Sequence, residues 1–393
     1  MTDTRFHGAR VKEETDLQTA INDIDSTVIG LVAVADDADP DTFPLNTPVL
    51  LTRVITVLGK AGKTGSLYKS LKAISDQVST RVIVVRVAEA KTGDGEPTQA
   101  QLIIGGTATD GSYTGMFALL TAEQKTGYHP RILGVPDYDT AEVTAQLRVI
   151  AKQLRAFVYS YCHGCDTIAE AKTYRSTFSE REGMLLWPNF IAYNALTGEN
   201  EEFPAVAYAL GLRAMIDNSQ GWHKSLSNVA ISNVLGISKD VFWSLQAEDS
   251  DANELNNSEI TTIIKRDGFR FWGNRTTDTE KFIFEVYTRT AQILADSIAE
   301  AQFTTVDTPL SPANVKDVVN GITSKLKSLV TAGRLIGADC WFDIVDNPTT
   351  GLRQGKAIVR YNYSPVPPLE DLTMIQTFTD QYYEPAFASL GGE

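Results

Sequence analysis

Val28-Ile-Gly-Leu-Val-Ala-Val-Ala35 is an unbroken apolar run rich in β-branched residues. A strand with one wet face alternates apolar and polar residues, whereas a short continuous run is the pattern of a strand covered on both faces. The same pattern recurs downstream at 49–55 and 82–87, and between these two lies 66–78, with Leu67, Leu71 and Ile74 at helical spacing. Strand–helix–strand is therefore the expected unit. Further strand-like runs at 131–135, 156–161 and 184–187 alternate with helical stretches around 114–126, 140–155 and 167–178, and Asp110-Gly111 signals a turn beside them. The expectation is an α/β domain with a largely parallel or mixed sheet. Upstream, the first two dozen residues are polar and keep no period, as an arm outside the local core would.

A second regime begins near residue 260. A long helical pattern over 281–301 is broken by Thr308-Pro-Leu-Ser-Pro312, where Ser311-Pro312 reads as an N-cap followed by proline at the first helical position. In the helix that starts there, Val315, Val318, Val319, Ile322, Leu326, Leu329 and Val330 fall on one stripe, and Gly333 or Gly337 would end it. Two strands at 340–345 and 357–363, joined by the turn Asp346-Asn-Pro-Thr-Thr-Gly351, are expected to form an antiparallel pair. This gives a smaller α+β unit. Ser364-Pro-Val-Pro-Pro-Leu369 then reads as a stiff extended spacer leading into an alternating tail, a second arm. No internal repeat is visible.

The 393 residues are enough for two or three domains or one large domain with an insertion, and 43% hydrophobic with 21% charged residues is an ordinary globular balance. A net charge of −14 argues against non-specific binding to nucleic acid or an anionic membrane. Cys162, Cys165 and Cys340 cannot frame a chain this size with disulfides and suit a reducing compartment. No stretch reads as a bilayer span, and the acidic start lacks the apolar centre of a secretory signal. The chain is expected to stay where it is made and to leave a cell only by lysis or inside a particle.

Several motifs invite a chemical reading. Gly59-Lys-Ala-Gly62-Lys63-Thr64 approaches a phosphate-cradling loop, but the first required glycine would stand at 57, which is Val57. A solvated loop at a helix entry is favoured. Cys162-His-Gly-Cys165 has redox spacing without the surrounding thioredoxin-type unit and offers at most three local zinc ligands, so buried structural thiols are favoured. His223, in Gly221-Trp-His-Lys-Ser225, could supply a hydrolase base, but no nucleophile elbow accompanies it. Lys265-Arg-Asp-Gly-Phe-Arg-Phe-Trp-Gly-Asn-Arg275 interleaves cations with aromatics as single-strand binders do. At this net charge a packed inter-domain joint is the better reading. No catalytic residue, metal or cofactor is assigned.

Lys316, Lys327 and Arg334 are spaced by eleven and seven residues, which sets them within about 20° of one line along the helix that begins after Pro312. Only Asp317 is acidic between 311 and 334, against four basic residues, a local reversal of the chain's sign that suits either a solvated face or an anionic partner.

Six longer stretches, in order over almost the whole chain, resemble the tail sheath proteins of contractile-tailed bacteriophages and phage-tail-like bacteriocins. They are Ser26-Thr-Val-Ile-Gly-Leu-Val-Ala-Val-Ala-Asp-Asp-Ala-Asp39, Phe43-Pro-Leu-Asn-Thr-Pro-Val49, Pro130-Arg-Ile-Leu-Gly-Val-Pro136, Gly221-Trp-His-Lys-Ser-Leu-Ser-Asn228, Arg266-Asp-Gly-Phe-Arg-Phe-Trp-Gly-Asn-Arg-Thr276 and Tyr361-Asn-Tyr-Ser-Pro-Val-Pro-Pro-Leu369. The resemblance implies an N-terminal arm over 1–25, an outer α/β domain over 26–270 that is subtilisin-like in fold without protease activity, a core domain over 271–368 facing an inner tube, and a C-terminal arm over 369–393. It implies a helical cylinder that contracts to drive the tube through a cell envelope, with the arms exchanged between copies as β-strands. The edges of the 340–345 and 357–363 pair would be their acceptors. Val11, Leu17, Ile21, Leu372, Ile375 and Phe378 are the arm candidates, and Lys316, Lys327 and Arg334 the tube-contact candidates. The implied partners are other sheath subunits, the inner tail tube protein, and baseplate and tail terminator proteins, with no nucleic acid and no membrane. The implied place is a virion tail or phage-tail-like particle assembled in a bacterial cytoplasm. The alternatives are a non-contractile tail component and an α/β hydrolase or nucleotide-binding enzyme.

Overall fold

A computed structural model describes residue 21 and residues 24–93 and 95–388. In chain order the first strands and helices are β1 (Ile29–Val34), β2 (Val49–Leu51), α1 (Leu67–Gln77), β3 (Val82–Val87), α2 (Gln99–Ile104), the short hairpin β4 (Gly106–Thr107) and β5 (Tyr113–Thr114), and α3 (Ala122–Thr126). Then come β6 (Ile132–Gly134), α4 (Ala141–Leu154), β7 (Phe157–Tyr161), α5 (Ile168–Arg175), β8 (Gly183–Leu186), β9 (Phe190–Asn194) and β10 (Glu199–Phe203). They are followed by α6 (Ala205–Ser219), β11 (Ala230–Ile231), β12 (Gly236–Ile237), α7 (Asp251–Asn257), β13 (Ile260–Lys265) and β14 (Phe269–Trp272). The rest is α8 (Glu285–Ala301), α9 (Pro312–Thr331), β15 (Leu335–Phe342), α10 (Thr349–Arg353), β16 (Val359–Pro365) and α11 (Tyr383–Ala388).

Nine strands form one mixed sheet in the order β11-β14-β13-β8-β7-β6-β1-β3-β2. Pairing is parallel from β3 through β1, β6, β7 and β8 to β13, and antiparallel at both margins. The alternation of side chains along β1 explains its continuous apolar sequence. Ile29, Leu31 and Ala33 join a cluster with α1 and α6, while Val32 and Val34 join the opposite cluster with α2 and α4. The expected strand over 49–55 is cut short: only 49–51 pairs, and Val54–Thr56 turns into a 3-10 helix. β13 continues the large sheet, so the sheet persists past residue 260 to Trp272.

Sequence periodicity does not reveal α6. Its segment, AVAYALGLRAMIDNS, is apolar on nearly every side because it is buried on nearly every side, leaving no amphipathic period. Gly211 is the point of closest approach to α1: a Cβ there would lie 2.9 Å from the Ile74 Cα. That lack of a side chain lets the two helices pack backbone to backbone.

The C-terminal elements build a smaller layer. α9 packs on the antiparallel pair β15–β16, in which Cys340 faces Tyr361. Ser311 caps α9 by accepting from the Asn314 amide, with Pro312 in the first turn. Ile322, Leu326 and Leu329 are its buried residues and share a cluster with Ile293, Leu294 and Ile298 of α8, Trp222 and Ile21. The strands begin and end differently from expectation: 335–342 replaces 340–345, and 359–365 replaces 357–363. β15 starts soon after Gly333, whose φ of 70° ends the helical path.

α8 joins the two layers. Its apolar side enters the C-terminal cluster, and its polar side carries a buried ionic network to the large sheet. Arg213 of α6 bonds Asp217 at 2.6 Å and Glu285 at 3.2 Å, Tyr159 of β7 donates to Glu285, and Arg289 donates to Asp217. Farther along, Asp296 receives both Arg131 and Arg155, and the Gln292 side-chain amide donates to the Ala156 carbonyl at 2.8 Å.

Candidate functional site

The glycine-rich loop after the 3-10 turns does cradle an anion, and that anion belongs to the protein. The Asp37 carboxylate accepts from the Lys63 amide at 2.8 Å, the Thr64 amide at 3.1 Å and the Thr64 hydroxyl at 2.6 Å. These bonds, the Thr64 hydroxyl first, hold the Asp37 carboxyl below the usual range. Gly65 (φ 71°) is pressed against β1, where a Cβ would lie 2.1 Å from the Val34 carbonyl oxygen. The amides a phosphate would need are already spent.

Cys162-His-Gly-Cys165 follows β7, where the C-terminal ends of β6, β7 and β8 open on a cavity of about 280 Å3. Asp137, Tyr161, His163, Gly164, Asn189 and Pro204 line it. Such a crevice is where α/β folds place ligands, so the chemistry of its walls matters. Burial pushes the Cys162 thiol well up, away from the reactive thiolate. Both thiols sit in a hydrophobic cluster with Phe178, Leu185 and Trp187, and the Trp187 indole donates to the Cys165 carbonyl at 3.0 Å. His163 lies 3.8 Å from Asp139, whose carboxylate raises the pKa of the imidazole. Among the described residues, no group of three or more His, Cys, Asp or Glu is placed to hold a metal.

His223 sits at a corner between the layers. Trp222 enters the C-terminal cluster, and burial, then the nearby Arg334 charge, lowers the His223 pKa. Basic residues of the 265–275 segment are likewise engaged. Arg270 donates to the carbonyls of Arg266 at 2.9 Å, Asn228 at 3.0 Å and Asp267 at 3.4 Å, closing the β13–β14 turn. Phe269 and Phe271 are buried in the sheet core, and Trp272 packs edge-on against Trp243. This cluster is a core hairpin with its guanidinium used as a brace.

Lys316 and Lys327 are exposed on α9, about 16 Å apart along its axis. Arg334 does not share their line, which corrects the spacing argument: α9 ends at Thr331, and Arg334 follows the Gly333 turn to sit over Gly221. Val11 and Leu17 lie outside the described residues. Ile21 is buried in its own chain's C-terminal cluster, beside Trp222 and Ile293. Leu372, Ile375 and Phe378 stand 64%, 89% and 85% exposed on an extended tail that pairs with no strand among the described residues. Among the described residues β15 and β16 pair only with each other, so each keeps one edge without a described partner.

Comparison with known proteins gives the family. The chain is 85% identical over 392 residues to the "Major tail sheath protein" of Serratia phage KSP20, with all of both chains covered. The chain belongs to the phage tail sheath protein family. The "Tail sheath protein" of Escherichia phage P2 is 49% identical over 381 residues, 96% of each chain. The family's models match in three consecutive parts: the Gp18 domain III N-terminal region over 26–87, the phage tail sheath central domain over 111–277, and the phage tail sheath C-terminal domain over 277–379. The fold is that of the anti-feeding prophage helical sheath in its contracted state (TM-score 0.71, 18% identity, 96% of this chain and 99% of that one).

As a sheath protein of contractile tails, the molecule is a structural component of a phage tail or phage-tail-like particle and not an enzyme. That accords with thiols packed into a hydrophobic cluster and a loop whose donors are filled from within. Sequence reasoning overlooked the contact of Arg275 with Glu370, a two-pronged ion pair at 2.9 and 2.8 Å. The separation of 95 positions along the chain hides it; only the opposite charges, one of them beside a proline run, hinted at it.

Proposed function

We propose that copies of this sheath protein polymerise head to tail into a helical cylinder around an inner tube, and that the cylinder shortens to drive the tube through a cell envelope. The observation that carries the reading is the pairing of an unused donor with an unused acceptor in one chain. A C-terminal tail exposes Leu372, Ile375 and Phe378, and among the described residues no strand pairs with either outer edge of the two-stranded sheet. An unpaired strand edge is a template for another chain, and a contact between unlike surfaces extends without closing.

In this reading 1–25 and 369–393 are arms exchanged as β-strands, 26–270 is the outer α/β domain, and 271–368 is the core domain facing the tube. Ile21, seated in its own core, would mark where the N-terminal arm leaves the body, with Val11 and Leu17 beyond it. Lys316 and Lys327 would face acidic groups of the tube, a contact strong enough for assembly and weak enough to break. Arg334 would act beside them from the turn after α9. Baseplate and terminator proteins would meet the two ends of the cylinder. Contraction needs no bound fuel if the compact array buries more surface between outer domains than the extended one.

Electron microscopy of the purified chain tests this: wide hollow polymers are expected, and a chain truncated after Pro368 should stay a folded monomer. Polymers formed equally well by the truncated chain would overturn the arm exchange.

A further inference from the structure

An arm that can pair with a neighbour can also pair with its own body. The tail is tethered to the sheet it would complete, so the local concentration of its own strand is of order millimolar, far above that of any neighbour's. The shortest self-closure is a hairpin in which 366–369 turns and the following residues run back along β16.

The chain is built against that turn. β16 ends at Pro365, and Val366-Pro-Pro-Leu369 continues it with two further prolines, which fix φ, lack an amide donor and favour an extended path. Glu370, the first residue past the spacer, is held by Arg275: Nε donates to Oε1 at 2.9 Å and Nη2 to Oε2 at 2.8 Å. Only 37% and 34% of the two side chains remain exposed. Arg275 is itself fixed, with its backbone bridged to Phe284 and its guanidinium 5.7 Å from the Phe284 ring centre. The anchor therefore stands on the segment between β14 and α8, which is not part of the β15–β16 pair. A two-pronged, charge-assisted contact fixes direction as well as distance.

We propose that the Arg275–Glu370 ion pair is a positioning latch that stops the C-terminal arm from folding onto its own β15–β16 sheet and so commits it to a second copy. This rests on the arm-exchange reading above. The test uses full-length chains carrying Arg275→Glu, Glu370→Arg, or both, with truncation after Pro368 as the reference. Sedimentation and electron microscopy give the concentration needed for polymer, and hydrogen exchange reports on 372–378 in dilute monomer. Each single substitution should raise that concentration about tenfold and slow exchange over 372–378, and the charge-swapped double variant should restore both. Glu370→Arg alone suffices if Arg275→Glu misfolds. Single variants that polymerise at the original concentration while truncation abolishes polymer would overturn the latch and leave arm exchange standing. A truncated chain that still polymerises would overturn both.

Discussion

Arg213 and Glu285 meet 3.2 Å apart with both side chains fully withdrawn from solvent, one from the middle of α6 and the other from the first residue of α8. Glu285 also accepts from Tyr159 and from the Leu226 amide. Burying opposite charges gains little over apolar packing, but removing one partner strands the other. Glu285→Ala is expected to destabilise the chain by about 3–5 kcal/mol in chemical denaturation. A loss under about 1 kcal/mol would mean that water enters the joint and satisfies Arg213.

Asp37→Ala should cost only about 0.5–1 kcal/mol, because the carboxylate it removes is exposed and its donors can turn to water. The pH dependence has a definite sign. The folded state holds the Asp37 carboxyl below its ordinary value, so its contribution is whole above that value and is lost as pH falls through the lowered one. Parallel acid titrations of the two proteins should converge at low pH; a difference that grows there would contradict the assignment.

The stripe on α9 makes a separate claim about packing. Leu326 is fully buried between α8 and the β15–β16 pair, and Leu326→Ala is expected to cost about 2–5 kcal/mol. Thermal unfolding at matched concentration measures it. A near-neutral result would show that this layer collapses around the gap.

Lys316→Glu with Lys327→Glu separates folding from assembly. Both side chains are exposed, so stability should change by less than about 0.5 kcal/mol per site. Assembly on isolated tubes should fail at low salt, where the reversed charges repel acidic groups most, and recover in part as salt screens them. Unimpaired assembly would remove the tube-contact role.

The legible parts of the fold were those where burial and period agree. β1 and β3 are covered on both faces, and their sequences say so without interruption. Ser311-Pro312 announced α9 because a cap is a local device. α6 was invisible for the opposite reason: enclosed between α1 and the sheet, it has no wet side to write a period. Arg334 fell off its predicted line because helical spacing carries no information past the residue where the helix stops. The Gly59–Thr64 loop was expected as a solvated loop at a helix entry, and the partner that fills it, Asp37, lies 26 residues before Lys63 on a neighbouring turn. Pairings across such distances are set by topology, and a single sequence does not spell them out.

Under the proposed arm exchange, a C-terminal tail that donates and a sheet that accepts would give any file of copies a direction. At one terminus a strand edge waits empty, and at the other a tail goes unclaimed. Growth from the two termini then proceeds by different reactions at different speeds, and arresting it demands two unlike stoppers, one that supplies a strand and one that receives it.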